Sequence, residues 1–278
     1  MASRTAPERV ELLALDLDGT LLRRDNTIGA RTREALKAAA AAGVKLVLNS
    51  GRMTPAMEHA AKLLDGDAYL IAYNGAAASD LRANGRRRLF ERTMPLDVAR
   101  ELVAFAKRRR VQLNYYLDEF VYCEPDPALR RWVEFYQKRT GSPYRFVERM
   151  EDHWDRAPYK VLFIAEPAVR EALMAELEPQ YAKRATVTRT DPEYLEFLHP
   201  EVNKGAGLRG LAESLGVPMA RTLAVGDSYN DAPMLAAAGW GVAVANAAEP
   251  VRAAADAVTA ADCEHDAVAE AVERWVLR

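Results

Sequence analysis

The sequence predicts an α/β fold, a doubly wound parallel-sheet core into which an α+β segment is inserted. In the first and last thirds of the chain, short and continuously apolar runs alternate with amphipathic helical segments. This alternation is typical of parallel strands that helices cover on both faces. The middle of the chain instead contains strands of alternating polarity and most of the aromatic residues. At about 150 residues per domain, the length of 278 residues accommodates two domains.

The composition excludes several classes of protein. Apolar residues make up 50% of the chain and charged residues 28%, which provides enough apolar surface for a core. The net charge of −2 gives no basic field for nucleic acid. The longest apolar run, Met234–Ala245, is too short to span a bilayer, and Cys123 and Cys263 lack the spacing of a disulfide framework or a zinc site. We therefore expect a reduced, cytoplasmic protein with no nucleic acid and no membrane partner, as a monomer or a weak dimer.

The first part of the core contains three predicted strands, the apolar runs Glu11–Leu17, Val44–Leu48 and Ala68–Tyr73. Two predicted helices connect them. The helix Arg31–Ala42 is followed by Gly43, which readily takes the left-handed conformation that ends helices. The helix from about Pro55 to Leu64 begins with a proline, which suits the first turn. Strand and helix thus alternate as they do in a parallel sheet.

Between Gly85 and Pro192 the pattern becomes that of an α+β layer. The strands Val111–Tyr116 and Phe120–Cys123 flank Asp118-Glu119, and this arrangement predicts a hairpin. Three helical patterns separate the strands of this segment: Leu96–Arg109, Pro127–Arg139 and Ala168–Leu177. We assign residues 85–192 to an inserted cap domain, and residues 1–84 and 193–278 to the core.

The core pattern returns after about Glu193. Its elements are, in order, a helix near Lys204–Leu215, the strand Thr222–Val225, a helix after Asn230, the strand Gly241–Ala245 and alanine-rich C-terminal helices. The two halves that flank the insertion together predict a Rossmann-like core. Glu196 and His199, near the return to the core, either face a cleft or have a structural role at the junction.

Two aspartates follow the first predicted strand, in Asp16-Leu17-Asp18-Gly19-Thr20. Because side chains alternate along a strand, Asp16 and Asp18 are expected to project to one side at the carboxyl end of the sheet, where α/β proteins bind ligands. Two neighbouring carboxylates repel each other and need a cation, a shared proton or both. Gly19 allows the chain to turn sharply and exposes backbone groups to a ligand. For this motif alone, a solvated acidic turn is the alternative.

A second acidic segment, Gly226-Asp227-Ser228-Tyr229-Asn230-Asp231, follows another apolar strand. Carboxylates from both segments are expected to meet at one edge of the sheet and to form a cluster of hard oxygen ligands, which suits Mg²⁺. Ser50-Gly51-Arg52 closes the second strand and offers a hydroxyl and backbone donors to an anion. Lys204, at the start of a helix, can neutralise a phosphate or a carboxylate nucleophile, and the helix N-terminus adds positive potential.

These four segments, in this order, resemble the motifs of the haloacid dehalogenase-like phosphotransferase superfamily, and most closely those of its Cof-type branch. The matching segments are Asp16-Leu17-Asp18-Gly19-Thr20-Leu21, Ser50-Gly51-Arg52, Lys204-Gly205 and Gly226-Asp227-Ser228-Tyr229-Asn230-Asp231. Asn74-Gly75-Ala76, Met234-Leu235 and Val244-Ala245-Asn246-Ala247 resemble further segments of the branch. The chain departs from the pattern at Ser50, where threonine is commoner, and in Cys263–Ala267, which lacks a glycine.

The resemblance implies which residues carry the chemistry and hold the metal. Asp16 is expected to be the nucleophile that becomes an aspartyl-phosphate. Asp18 is expected to be the general acid for the leaving oxygen and then the general base for water. The expected cofactor is Mg²⁺, held by the carboxylates of Asp16 and Asp227 and by the backbone carbonyl of Asp18. Asp231 is expected to support the metal through water or an indirect contact.

The resemblance also implies which residues bind the substrate's phosphate. Ser50, Gly51 and Lys204 are expected to bind the transferring phosphoryl oxygens, and Asn230 to orient either the phosphate or Lys204. These roles agree with the needs of phosphoryl transfer, which depends on in-line positioning and charge neutralisation.

The function that the resemblance implies is a Mg²⁺-dependent phosphatase that hydrolyses small phosphomonoesters through an aspartyl-phosphate intermediate. Sugar phosphates or related phosphorylated metabolites are the expected substrates. The inserted cap is expected to close over the site, exclude water and select the substrate. Two alternatives are a phosphomutase of the same superfamily and a binding protein without catalytic activity.

Overall fold

Two β-sheets organise the computed structural model, which describes residues 4–66, 68–82 and 86–278. Within these residues the chain divides into two units. The core unit contains the chain up to Gly51, Met57–Phe90 and Asn203–Arg278, and the inserted unit contains Arg52–Ala56 and Glu91–Val202. The boundary predicted at Gly85 lies outside the described residues.

The described chain alternates strands and helices over most of its length. The strands are β1 (Leu12–Leu15), β2 (Lys45–Asn49), β3 (Tyr69–Ala72), β4 (Ala77–Asp80), β5 (Arg87–Glu91), β6 (Gln112–Leu117), β7 (Phe120–Cys123), β8 (Tyr144–Phe146), β9 (Lys160–Ile164), β10 (Thr186–Arg189), β11 (Tyr194–Leu198), β12 (Thr222–Gly226), β13 (Trp240–Ala243) and β14 (Ala257–Val258). The α-helices are α1 (Ala30–Ala41), α2 (Thr54–Lys62), α3 (Leu96–Arg109), α4 (Arg130–Thr140), α5 (Pro167–Tyr181), α6 (Lys204–Ser214), α7 (Ala232–Ala237), α8 (Glu249–Ala254) and α9 (Ala267–Trp275). None of the helices in the described ranges has both the length and the apolar character that crossing a bilayer requires.

The core sheet has eight strands in the order β14-β13-β12-β1-β2-β3-β4-β5. β1 lies at its centre and pairs in parallel with both β12 and β2, while β3 and β4 are antiparallel. All four residues of β1 are buried, as expected for a parallel strand that is covered on both faces. Helix α1 packs with α9, and α6 packs with α7. The predicted parallel-sheet α/β core is confirmed.

Three differences from the sequence prediction concern the end of β1 and the limits of the two units. β1 ends at Leu15, because the carbonyl of Leu17 accepts hydrogen bonds from the N–H groups of Thr20 and Leu22 and closes a turn there. β5 extends the core sheet, although its residues were assigned to the cap. β11 pairs with β9 in the second sheet, although its residues were assigned to the core. In both cases the partner strand lies on the other side of the predicted boundary, and local polarity does not reveal this pairing.

The inserted unit is built on a six-stranded sheet with the order β10-β11-β9-β6-β7-β8. Its apolar core includes Leu102 of α3, Leu177 of α5 and Phe163 of β9. The predicted hairpin between β6 and β7 is confirmed, since Leu117 and Phe120 are paired across the turn. Asp118 and Glu119 both have positive φ angles, 50° and 64°, as a two-residue hairpin turn requires.

Glu196 has a structural contact inside the inserted unit. Its Oε1 accepts a hydrogen bond from Nζ of Lys160 at 2.8 Å, and both side chains are buried. The hydroxyl of Thr190 also donates to this oxygen, at 3.2 Å. A buried ammonium and a buried carboxylate neutralise each other here, which favours the structural interpretation of Glu196.

Candidate active site

Three aspartates meet at the carboxyl ends of β1 and β12. Asp16 directly follows β1, Asp227 directly follows β12, and the two strands are parallel neighbours. Since the carboxyl ends of parallel strands lie at one edge of a sheet, this pairing brings the two carboxylates together. Asp231 directly precedes α7. Ligand oxygens of the three aspartates all lie within 4.8 Å of one another.

Lys204, the first residue of α6, lies between two of these carboxylates. Its Nζ donates to Oδ1 of Asp16 and to Oδ1 of Asp231, each at 2.5 Å, and its side chain is 1% exposed. A buried ammonium needs such partners, because the burial of an unpaired charge costs several kcal/mol. An ammonium has three N–H donors. Two are used by the described residues, so the third can bind an oxygen of a ligand.

Burial and neighbouring charges shift the pKa values of three groups in this cluster. Burial, reinforced by Asp231, raises the pKa of Asp16 well above its usual value, and Lys204 opposes this shift only in part. Burial and the neighbouring Asp231 raise the pKa of Asp227 to about 6. Burial acts to lower the pKa of Lys204, but the charges of Asp16 and Asp231 outweigh it and raise the pKa above its usual value. Lys204 is therefore cationic at neutral pH.

The donor set of the cluster fits a hard divalent cation. With all groups ionised, three carboxylates and one ammonium carry a net charge of −2, which one such cation neutralises. Both oxygens of Asp231 are already engaged, Oδ1 by Lys204 and Oδ2 by the N–H groups of Asp227 and Ser228 at 3.0 and 2.9 Å. Asp16 and Asp227 are therefore the better candidates for direct contact with a metal, and Asp231 for holding the other groups in place.

The turn after Asp16 is packed against Asp227. Gly19 has a φ of +82°, and a Cβ at this position would lie 2.7 Å from Oδ2 of Asp227, so that only glycine fits without displacement. The hydroxyl of Thr20 donates to Oδ1 of Asp227 at 2.8 Å. From the loop after β13, the side chain of Asn246 donates to the carbonyl of Gly19 at 2.7 Å. The turn after Asp16 thereby orients the carboxylate of Asp227.

Asp18 has a different environment from Asp16. Because β1 ends at Leu15, Asp16 and Asp18 lie in a turn, and strand alternation does not describe their side chains. Asp16 is buried, whereas Asp18 is exposed and is not among the three clustered aspartates. The two aspartates therefore lie just beyond the strand in which they were predicted, and Asp18 is near enough for its charge to contribute to the raised pKa of Asp16. An exposed carboxyl two residues from a buried one can still exchange protons with solvent.

The residues predicted to bind phosphate are connected through Asn74. The carbonyl of Ser50 accepts a hydrogen bond from the N–H of Asn74 at 3.0 Å. A Cβ at Gly51 would lie 3.0 Å from Oδ1 of Asn74, and Nδ2 of Asn230 donates to this same oxygen at 2.9 Å. The hydrogen bonds of the Lys204 ammonium go to carboxylates. Of the two roles expected for Asn230, the orientation of Lys204 is therefore not supported.

Sequence reasoning gave no role to several residues that hold the site. Nδ2 of the buried Asn49 donates to the carbonyl of Lys204 at 3.0 Å. Oδ1 of Asn203 accepts a hydrogen bond from the N–H of Ala206 at 2.9 Å and caps α6, the helix that presents Lys204. Asparagine is a preferred helix cap, so Asn203 could have been found from the sequence. For Asn49, the signal was a polar residue at the end of an apolar strand.

Comparison with known proteins agrees with the geometry of the site. The sequence model of the haloacid dehalogenase-like hydrolases matches residues 13–272. YxeH of Bacillus subtilis is 31% identical over 270 residues, which cover 96% of this chain and 98% of that protein. The HMP-PP phosphatase of Yersinia pseudotuberculosis is 30% identical over 275 residues, covering 95% of each chain. A crystal structure of a haloacid dehalogenase-like hydrolase from Bacteroides thetaiotaomicron has a TM-score of 0.83 and 29% identity, and covers 96% of this chain and 99% of its own.

Proposed function

This chain belongs to the haloacid dehalogenase-like hydrolases and is a phosphatase, and we propose that it hydrolyses small phosphomonoesters with Mg²⁺ as its cofactor. The observation that carries this proposal is the buried cluster of Asp16, Asp227, Asp231 and Lys204 at the carboxyl ends of β1 and β12. This cluster combines a carboxylate nucleophile, ligands for a hard cation and an ammonium group. Phosphoryl transfer requires these components, because it depends on positioning and on the neutralisation of charge.

We propose that Asp16 forms a covalent intermediate. One of its carboxylate oxygens attacks the phosphorus of the substrate, and the bond from phosphorus to the ester oxygen breaks. Asp18 gives a proton to the leaving oxygen, which yields an aspartyl-phosphate and a free alcohol. Asp18 then takes a proton from water, whose oxygen attacks the same phosphorus. The bond between phosphorus and the oxygen of Asp16 breaks, which releases inorganic phosphate and restores the carboxylate of Asp16. Two displacements of this kind have lower barriers than a single direct one.

Lys204 is proposed to stabilise the transferring phosphoryl group. Its ammonium already contacts Oδ1 of Asp16, and its third N–H can donate to a phosphoryl oxygen. The hydroxyl of Ser50, the N–H of Gly51 and the side chain of Asn230 are proposed to bind the other oxygens. Donors that are fixed before the reaction stabilise developing charge without reorganisation during the step.

The proposed ligands of Mg²⁺ are the carboxylates of Asp16 and Asp227 and the backbone carbonyl of Asp18. When it is bound, the cation supplies positive charge that stabilises the phosphoryl oxygens. Thr20 keeps one oxygen of Asp227 in place by its hydrogen bond of 2.8 Å. Asp231 is proposed to hold this arrangement in place by accepting hydrogen bonds from Lys204 and from the backbone N–H of Asp227.

Small phosphorylated metabolites, sugar phosphates among them, are the proposed substrate class. One relative bears the name HMP-PP phosphatase, which supports a metabolite of low molecular mass. The inserted segment, residues 85–192, is proposed to select the substrate, because every proposed catalytic, metal-binding and phosphate-binding residue lies outside it. We place the activity in the cytoplasm, in a monomer or a weak dimer.

A panel of phosphomonoesters, assayed for free phosphate, is expected to reveal activity that depends on Mg²⁺. A chelator should abolish phosphate release and added Mg²⁺ should restore it. Ca²⁺ should replace Mg²⁺ poorly, because it takes more ligands at longer distances. Full activity in chelator or with Ca²⁺ alone would contradict the proposed metal site. Isomerised sugar phosphate without free phosphate would identify a mutase instead.

The affinity for Mg²⁺ is expected to fall as the solution becomes acidic. The pKa of Asp227 is raised to about 6, so below this pH a proton competes with the metal for the carboxylate. At pH 5 about one Asp227 in eleven is ionised, and the apparent Kd for Mg²⁺ should be at least about tenfold higher than at pH 7.5. Calorimetric titration with Mg²⁺ in the absence of substrate measures this change. A Kd that is equal at both pH values would contradict the binding of the metal by a carboxylate whose pKa is raised to about 6.

A further inference from the structure

The loop between β3 and β4 contains three consecutive residues in left-handed conformations. The φ angles of Tyr73, Asn74 and Gly75 are 53°, 56° and 106°. Glycine adopts such angles readily and asparagine tolerates them, but for an aromatic residue they are a clear outlier. A strained conformation persists only where the surrounding structure imposes it, and such places cluster at functional sites.

The contacts that impose this conformation come from three parts of the active site. The N–H of Asn74 donates to the carbonyl of Ser50, directly after β2. Oδ1 of Asn74 accepts from Nδ2 of Asn230, after β12. A Cβ at Gly75 would lie 2.3 Å from the carbonyl oxygen of Asn203, so the backbone of the loop touches the start of α6. The loop thus contacts all three segments that are proposed to bind the phosphoryl group.

The side chain of Asn230 depends on this loop for its orientation. In the part of the chain that the structure describes, its one hydrogen bond is the bond of 2.9 Å to Asn74. Its Oδ1 is buried and has no partner among the same residues. Asn230 as a whole is half-buried, and its amide is free to rotate or tilt when this anchor is removed, because no second hydrogen bond from the described chain holds it. Asn74 is itself 2% exposed and is therefore held in a fixed position.

We infer that Asn74 is a positioning residue for the phosphate-binding side of the active site. Its carboxamide fixes the amide of Asn230 relative to Ser50 and Gly51. In the left-handed conformation, the backbone N–H of Asn74 reaches the carbonyl of Ser50 while its side chain reaches Asn230. Asn74 acts through these residues and does not itself touch the reacting atoms. The inference rests on the proposed function, in which Ser50, Gly51 and Asn230 bind the phosphoryl oxygens.

The variant Asn74→Gly tests this role, because glycine accepts a positive φ, keeps the N–H that bonds to Ser50 and removes only the carboxamide. We expect kcat/KM for p-nitrophenyl phosphate to fall about 10- to 100-fold, as a small misplacement of binding groups does. The Kd for inorganic phosphate, measured by calorimetry with Mg²⁺ present, should rise about tenfold by the same argument. The melting temperature should change little, since glycine accepts the positive φ of this position and the N–H bond to Ser50 is kept.

A matched control and a double-variant cycle separate positioning from a general structural effect. Asn26 is also left-handed, with a φ of 62°, but it is exposed and outside the site, so Asn26→Gly should keep the native kcat/KM. If Asn74 acts through Asn230, the double variant Asn74→Gly/Asn230→Ala should be no less active than Asn230→Ala alone.

Two results would overturn the inference. One is an active Asn74→Gly variant with native kcat/KM and native affinity for phosphate, and the other is a double variant in which the two losses multiply. A wild-type protein that releases no phosphate from any ester would contradict the proposed function instead. The calorimetric comparison still tests Asn74 in that case, because binding of inorganic phosphate requires no turnover.

Discussion

Asp16→Asn is expected to lower kcat at least about 10⁴-fold while the protein stays folded. The amide has nearly the shape of the carboxylate, but it is a poor nucleophile and a weaker ligand for a cation. Its oxygen can still accept the hydrogen bond of Lys204, which lies 2.5 Å from Oδ1 in the native site. Burial and the charges of Asp231 and Asp227 raise the pKa of Asp16, which shows that its charge is unfavourable in the metal-free protein. The melting temperature without metal should therefore be native or higher.

The measurements for this variant are initial rates of phosphate release, thermal unfolding and trapping of the covalent intermediate. Acid quenching with a labelled phosphomonoester should leave label on the wild-type protein and none on the variant. Asp155→Asn is a suitable control, because this aspartate is exposed and lies in the inserted unit. Near-native turnover of Asp16→Asn would exclude covalent catalysis by this residue.

The part of the site that follows from local signals could be predicted from the sequence. Asp16 and Asp227 each come directly after an apolar run, and parallel strands bring such positions to one edge of the sheet. Lys204 follows an asparagine that caps its helix, so its place at a helix start is also a local property. For the two aspartates, knowledge of the strand ends was sufficient, because the parallel sheet itself brings the two ends together.

The parts that escaped prediction depend on contacts between distant segments. The strand was expected to continue through Asp16 and Asp18, but these residues lie in a turn that is closed by hydrogen bonds, which the sequence pattern does not display. The role of Glu196 depends on the pairing of β11 with β9, which brings it to Lys160. The sequence singled out Asn74 only as part of Asn74-Gly75-Ala76, a segment that resembles the Cof-type branch. The pair Asn74-Gly75 is typical of a turn with positive φ angles, but the contacts of this turn to the end of β2 and the start of α6 cannot be read from residues 72–76 alone.

Lys204→Met is expected to destabilise the protein more than Asp16→Asn or Asn74→Gly does, and to lower kcat about 10³-fold. Methionine fills a similar volume but leaves Asp16 and Asp231 buried without the ammonium that lies 2.5 Å from each. Removal of one partner from a buried ion pair costs about 3–5 kcal/mol, because the remaining charge is uncompensated. We expect a loss of this size in the free energy of unfolding of the metal-free protein at pH 8, measured by chemical denaturation.

The same loss should shrink in acid, and the sign follows from the pKa shifts. Burial and the charge of Asp231 already raise the pKa of Asp16 above its usual value, and removal of Lys204 takes away the charge that opposes this shift. A group with a raised pKa in the folded state contributes stability in acid and loses that contribution as the pH rises through the folded pKa. The difference between wild type and Lys204→Met should therefore be small at pH 5 and grow toward pH 8.

The control for this pH dependence is Lys183→Met, which removes an exposed ammonium and should change stability little at either pH. A loss for Lys204→Met that is equal at pH 5 and pH 8 would indicate a packing defect, since the packing of methionine does not titrate. Such a result would contradict the argument that Lys204 is held in this site to balance the charge of buried carboxylates. A loss that grows with pH has no source in packing, and it would identify charge compensation as the reason for a buried lysine at this position.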